Sequence, residues 1–477
     1  MQPFMRRPKR MLLGVALAAL CLAIQPIVRR SDMSLGTFTV FHVGVVVLAV
    51  CFLVTHAAQA QSASTLDFKG RLLISVSDAD MVASAYSDGD LGPVDGQDAL
   101  SVIPLGKPPR DWRAFEIGVS TSVVGPPAVV AVTPDGRYAI VSESLRPRPT
   151  DGGRLTFRDL KPGNTLTVVE LSTPESPTVV QRVEGPAQPD AVSINADGSL
   201  VAVPVNPSGA GKTTPWVIYP FVNGRLGTPI TPTVPGWVSG DRLIHAAFHP
   251  REDLLAIVNA TKAALSFMRV ERSGNDLRLT TWGNTVAIER GPFVARFTPD
   301  GRHVITSATY GGGEFGSLRG TVMSVRVDGR RDASGSPRHE VVSRAQTGVL
   351  PEGMAISPDG AFVVTTNLER SMATPDDPRQ TFYSSLTLLK LDVQTGILTR
   401  VGDSAFDGIL PEAAAFDASS RFLAVTNFGH FDEARKGASI DIWRIATDRF
   451  DPSRIELVRT GYLVPVTRGA HSLVLVP

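Results

Sequence analysis

The 477-residue chain has only two cysteines, Cys21 and Cys51. Both lie inside apolar runs within the first sixty residues. A chain trimmed of that stretch has no disulfide, no thiol nucleophile and no cysteine metal site. An excess of one charge is missing as well: 47 Lys and Arg stand against 46 Asp and Glu. Six of the basic residues, but only Asp32 among the acidic ones, fall in residues 1–60, which leaves 41 minus 45, or −4, beyond them. No clustered basic patch marks a nucleic-acid surface, so no nucleic-acid partner is expected. Helical periodicity is almost absent after residue 64. The sequence also lacks a G-x-S-x-G elbow, an H-E-x-x-H pair and an EF-hand loop, and no Ser/His/Asp set stands out by spacing.

The first sixty residues differ from the rest. Arg6, Arg7, Lys9 and Arg10 precede an apolar run from Leu12 to Val28, closed by Arg29 and Arg30. A second run from Phe38 to Val54 ends in Ala58-Gln59-Ala60. A basic start, an apolar stretch and a small-x-small site describe an export signal, with cleavage expected after Ala60. The first run is long enough to serve instead as a membrane anchor over residues 12–28. The expectation is a leader over 1–60 and an exported domain over 61–477, either periplasmic or secreted. Contact with a membrane comes only through an uncleaved leader.

One pattern recurs in the domain: a short apolar strand, a turn, and a second apolar strand. It reads "AVVAVTPDGRYAIVSES" at 128–144, "DAVSINADGSLVAVPVN" at 190–206 and "HAAFHPREDLLAIVNA" at 245–260. It continues as "VARFTPDGRHVITSA" at 294–308, "EGMAISPDGAFVVTTN" at 352–367 and "EAAAFDASSRFLAVTN" at 412–427. The turns open at Thr133, Asn195, His249, Thr298, Ser357 and Asp417, which are 62, 54, 49, 59 and 60 residues apart. Pro fixes φ at the first corner, Asp accepts from the local backbone, and Gly supplies a positive φ. Two further strand-like runs follow each turn, such as "LTLLKL" and "ILTRV". Four antiparallel strands per repeat is the grammar of a β-propeller blade. Six units are complete. The seventh is split between "RLLISVS", "ALSVI" and "FEIGVS" near the start and "HSLVLVP" at 471–477. Joining them gives an all-β, seven-bladed propeller closed by pairing the C-terminal strand with the N-terminal blade.

These "PDGR…V" units resemble the YVTN/lactonase-like propellers, a superfamily with repeats of WD40-like construction. The likeness covers residues ~65–477 and implies the fold. It also offers an activity, opening of a lactone ring as in 6-phosphogluconolactonase-type enzymes, although fold alone does not fix function. Enzymes of that type carry a Pro-His segment before a turn, with Arg and Glu partners. Here "QPDAVSI" and "LPEGMAI" place carboxylates after the Pro, and Arg146, Arg296 and Arg370 fit no catalytic motif. The arginines of "ESLRPRP" read as solvated.

Three further stretches invite a functional reading. "NPSGAGKTT" at 206–214 is one residue from a phosphate-binding P-loop, with Asn206 where the first Gly belongs. A P-loop needs a helix after it. "TPWVIYPFVNG" follows instead, a strand with Pro215 and Pro220, so the stretch reads as a connection between strands. His245 and His249 have helical metal-pair spacing but straddle a strand and its turn, which makes them structural. "TYGGGEFG" at 309–316 reads as a flexible loop.

The blade register points to a site. In a propeller the first strand of each blade lines the central channel. Five residues before each turn, the chain enters that strand at Ala128, Asp190, Ile244, Phe293, Glu352 and Glu412, joined by His471 from the closing strand. Ten residues after each turn opens, the second strand ends at Glu143, Val205, Asn259, Ala308, Asn367 and Asn427, with Ser77 equivalent in the first blade. The candidate mouth residues are therefore Glu143, Asp190, Asn259, Glu352, Asn367, Glu412, Asn427 and His471. Convergent carboxylates raise one another's pKa or hold a cation such as Ca²⁺, and a carboxyl beside His471 could act as acid or base. No resident cofactor or metal is expected apart from such a cation, and no catalytic set is defined. The first reading is a monomeric exported propeller that binds a small molecule, a cation or a protein at its channel mouth. Two alternatives remain: a lactonase-like hydrolase using Glu352, Glu412 or His471, and a structural module of the cell envelope.

Overall fold

The structure is a computed structural model. It describes residues 66–477 apart from 94–95, 123–124, 150–152, 275, 310–317, 433–436, 449 and 452–453. The leader, its cleavage point and possible anchor, both cysteines and all but Thr309 of the glycine-rich loop lie outside the described residues. Among those described, no helix is long and apolar enough to cross a membrane.

Asp67–Pro477 forms one unit of seven antiparallel blade sheets, with a small two-stranded sheet, Gly408–Ile409 with Gly429–His430, beside blade 7. Blades 2 to 7 begin with inner strands at Val130–Val132, Ser193–Ile194, Leu243–Phe248, Pro292–Phe297, Pro351–Ile356 and Ala414–Phe416. Each then runs outward through strands consecutive in the chain. Blade 1 is the exception. Its inner strand is Ala470–Val476, which pairs with Leu72–Ser77 from the far end of the sequence. Blade 4 carries an extra short strand, Val286–Ala287.

The turn chemistry explains why the hairpins form. In every visible repeat the turn-opening side chain accepts a backbone N–H from the far side of its own turn. Thr133, Asn195, Thr298, Ser357 and Asp417 accept from Tyr138, Leu200, His303, Phe362 and Phe422, while His249 Nδ1 accepts from Glu252. Gly136, Gly198, Gly301 and Gly360 supply the left-handed residue. Ser420 takes that conformation in blade 7, at φ 62°.

The core lies between the blades. Second strands such as Leu72–Ser77 and Leu254–Asn259 are buried along their whole length, because each is covered on both sides by a neighbouring sheet. Apolar clusters join blade 1 to 2, 2 to 3, 3 to 4, 4 to 5, 5 to 6 and 6 to 7 in turn. One further cluster does not belong to a blade seam. Met81 and Leu91, from the connection after Leu72–Ser77, pack with Leu350, Leu368, Leu410 and Phe428 from blades 6 and 7. This connection, residues 79–92 with a short helix at Ala85–Asp88, forms a cap over the side where the inner strands of blades 6 and 7 begin.

Candidate functional site

The register counted from the turns locates a physical feature, a β-bulge at the start of the inner strands. In blade 6, Pro351 pairs with Asn367 and Gly353 with Thr366, which leaves Glu352 as the extra residue. His471 is the extra residue in blade 1, between partners at Ala470 and Ser472. Ile244 holds the same place in blade 4. Bulges re-aim a side chain out of the ladder. In blades 6 and 7 a threonine hydroxyl fixes the turn into the strand: Thr366 accepts from Gly353 N–H and Thr426 from Ala413 N–H. The residue before the proline is strained. Gln188, Leu350 and Leu410, preceding Pro189, Pro351 and Pro411, have φ of 63°, 56° and 50°. A residue before proline prefers an extended backbone, and a non-glycine residue in the left-handed region costs about 1–3 kcal/mol. The apolar cap holds Leu350 and Leu410 in place, and both are fully buried.

The eight sequence-derived residues divide into two groups. Glu352 and His471, at bulge positions, and Glu412, just before the inner strand of blade 7, are buried with unused hydrogen-bonding capacity. Neither glutamate side chain accepts a hydrogen bond from any described residue, and Glu412 Oε1 is sealed from solvent. Burial pushes the Glu352 carboxyl up to about 8. Burial pushes Glu412 higher still, and repulsion from Glu352 and Asp78 adds to it. His471 Nδ1 meets Ser472 Oγ at 3.1 Å, while Nε2 has no hydrogen-bond partner among the described residues. Burial lowers its pKa to about 3. At neutral pH the imidazole is therefore uncharged, and burial favours the protonated form of both carboxyls.

The other five serve the framework. Asp190 is locked by Arg242, at 2.9 and 2.7 Å, and by Asn206 Nδ2 at 3.0 Å. Asn206 is the residue that spoils the P-loop pattern, so that stretch does hold an acidic group, through its first residue. It connects Leu200–Pro204 to the strand Trp216–Val222. Glu143 accepts from the backbone of Asn164 and Thr165. Asn259 bridges Asp241 and the Lys262 N–H. Asn367 and Asn427 repeat one role: each donates to the serine opposite it on the third strand, Ser385 or Ser439. Those serines donate onward to Glu369 and Asp441.

Sequence reasoning missed Asp78 and Tyr86. Tyr86 sits in the cap, edge-on to Phe157 and Phe428. Burial first, then the charges of Glu412, Asp78 and Glu352, raise its pKa well above the usual phenol value. Asp78 could have been suspected, since it directly follows the register position Ser77. Nothing in the sequence points to Tyr86. One expectation is overturned: Arg148 of "ESLRPRP" is buried, not solvated, and its Nη1 donates to the carbonyls of Asp80 and Gly92 in the cap, both at 3.0 Å. His249 is structural, as expected. His245 faces elsewhere, into the channel. Among the described residues no group of three or more His, Asp or Glu is arranged to hold a metal ion, so the Ca²⁺ expectation finds no ligand set there.

Seven blades, a split closing blade and a capped channel mouth define the class: a seven-bladed β-propeller. The fold is shared with solved structures over most of the chain. A provisionally assigned 6-phosphogluconolactonase from Bacteroides fragilis superposes with a TM-score of 0.57 at 14% identity, covering 87% of this chain and 99% of that one. The periplasmic gluconolactonase of Pseudomonas aeruginosa gives 0.52 at 16% identity, covering 85% and 99%. A hypothetical selenium-binding protein from Sulfolobus tokodaii gives 0.54 at 10%, covering 86% and 95%. At these identities the likeness is one of fold. No family model matches the sequence, and no curated protein matches it.

Proposed function

We propose that the protein is an exported propeller of the YVTN/lactonase-like kind that binds a small, neutral, oxygen-rich ligand beneath the cap, on Glu352, Glu412 and His471. The observation that carries this reading is the Glu352/Glu412 pair. Buried polar groups are almost always hydrogen-bonded, and each exception calls for an explanation. Two protonated carboxyls and a neutral imidazole offer donors and acceptors without net charge, which suits hydroxyls and an ester carbonyl better than a cation. The cap supplies the exclusion of water that makes such bonds strong. Export rests on the leader sequence. The periplasmic neighbour is consistent with it, and the N-terminal residue of the mature protein tests it.

A second reading is favoured by the same group. A carboxylic acid kept neutral near pH 7 can protonate a leaving oxygen, and two of the fold neighbours are named for lactone hydrolysis. Isothermal titration with glucono-δ-lactone, beside a hydrolysis assay, separates the readings. Binding that Glu412→Gln weakens, without turnover, supports the binder. Turnover that Glu352→Gln abolishes supports the hydrolase. Neither binding nor turnover with any sugar lactone would remove both.

A further inference from the structure

The other end of the channel holds a second arrangement, independent of the capped mouth. A cavity of about 500 Å³ is lined by all seven inner strands and reaches the hairpin turns at Pro250, Pro299 and Pro358. Two residues before each turn, the inner strands contribute one ring of side chains: Ala131, Ser193, Ala247, Arg296, Ala355 and Ala415. Five are small and one is a guanidinium.

Arg296 is fixed by a single bond, from Nε to the Met354 carbonyl at 2.9 Å. Among the described residues nothing accepts from its two terminal nitrogens. Neither is sealed, so both open onto the cavity. Among the described residues, no Asp or Glu lines the cavity. Its other polar ring is His245 from the next blade. The Ala295 N–H donates to His245 Nδ1 at 3.4 Å, which places the ring proton on Nε2. Burial, with Arg296 nearby, holds His245 neutral, its pKa lowered to about 3. Arg296 and His245 thus present donors and a positive charge with no carboxylate in the lining to answer them. Arg296 is half-buried, and a charge partly withdrawn from water favours an anionic partner. The rest of the wall is mostly apolar, with Phe248, Phe297 and Phe416 toward the turns.

We propose that this cavity is a binding site for a small organic monocarboxylate, with its carboxylate on Arg296 and His245 Nε2 and its apolar body against Phe248, Phe297 and Phe416. The planar guanidinium fork suits a carboxylate, and a volume of this order suits a small molecule.

Isothermal titration of the full chain with benzoate tests the site, with benzyl alcohol as the uncharged control. The expected result is one benzoate per chain, a weakening of about tenfold or more in Arg296→Met, and little binding of benzyl alcohol. Glu352→Gln should leave benzoate affinity unchanged, which separates this site from the mouth. Should Arg296→Met fail to fold, Arg296→Lys and His245→Asn make the same comparison, each weakening benzoate several-fold. No benzoate binding to the wild type, or equal affinity in all variants, would overturn the proposal. So would chloride or phosphate binding as tightly as benzoate, since that marks a site for inorganic anions.

Discussion

At the scale of single residues, the buried titrating groups make stability depend on pH in a defined direction. Glu352 is raised from 4.5 to about 8, so the folded chain holds its proton where the unfolded chain has lost it. Its contribution is complete below about pH 4.5 and is lost as pH rises toward 8, by about 1.4 kcal/mol per unit. Glu412 acts in the same direction. His245 and His471 act in the opposite one. Their pKa values fall from 6.5 to about 3, so their contribution is complete above 6.5 and is lost as pH falls. The slopes oppose each other between about 4.5 and 6.5, and the carboxyls alone remain above that. Denaturant unfolding should therefore show a loss of roughly 2 kcal/mol from Glu352 between pH 6.5 and 8, absent in Glu352→Gln. Equal losses in both proteins would contradict the burial of that carboxyl. Gly353, beside it, is set by contact rather than by φ. A Cβ there would overlap the Glu412 carbonyl oxygen. Gly353→Ala should cost about 1–3 kcal/mol by overpacking, read as a lower midpoint in the same unfolding experiment.

At the scale of elements, the cap is the part that decides access to the mouth. It is held by apolar contacts and by Arg148, which reaches in from blade 2 to carbonyls of residues 80 and 92. Arg148→Met should keep most of the packing and remove the donors. Hydrogen exchange should then speed up over residues 79–92 while the central strands of the blades stay protected. Unchanged exchange in the cap would show that packing alone holds it. The blades were legible in the sequence because their turns repeat the same local chemistry, and counting from those turns reached bulge positions to the residue. The cap was not legible. Its segment lacks periodicity, and its partners Leu145, Leu350, Leu410 and Phe428 each come from a different place in the chain. The split of the candidate residues into mouth and framework was hidden for a similar reason. Asn367 and Glu352 end neighbouring strands at the same face, but only the observed pairing shows that Asn367 is spent on Ser385 and Thr387.

At the scale of the whole molecule, a ring of blades keeps its sheet edges short and protected only while it is closed. Closure rests on Ala470–Val476, which supplies the innermost strand of blade 1 along the whole of Leu72–Ser77. The same strand carries His471 at the mouth and Leu473 to Leu475 in the channel wall, so it couples the ring to both ends of the channel. Glu116 of blade 1 adds to the seam by accepting from the Thr467 N–H and hydroxyl, both at 2.8 Å. Removing residues 470–477 would expose the backbone of a fully buried strand, uncover the apolar seam it fills and open the ring between blades 7 and 1. The expected outcome is a large fall in the thermal midpoint, or failure to fold, with self-association through the unpaired edge. Adding the peptide 468–477 in trans should recover part of the midpoint, because the missing strand has a single place to pair. A truncated chain that melts at the wild-type temperature would show that the other six blades stand without closure, and the ring would then be a shape the sheets adopt rather than the source of their stability.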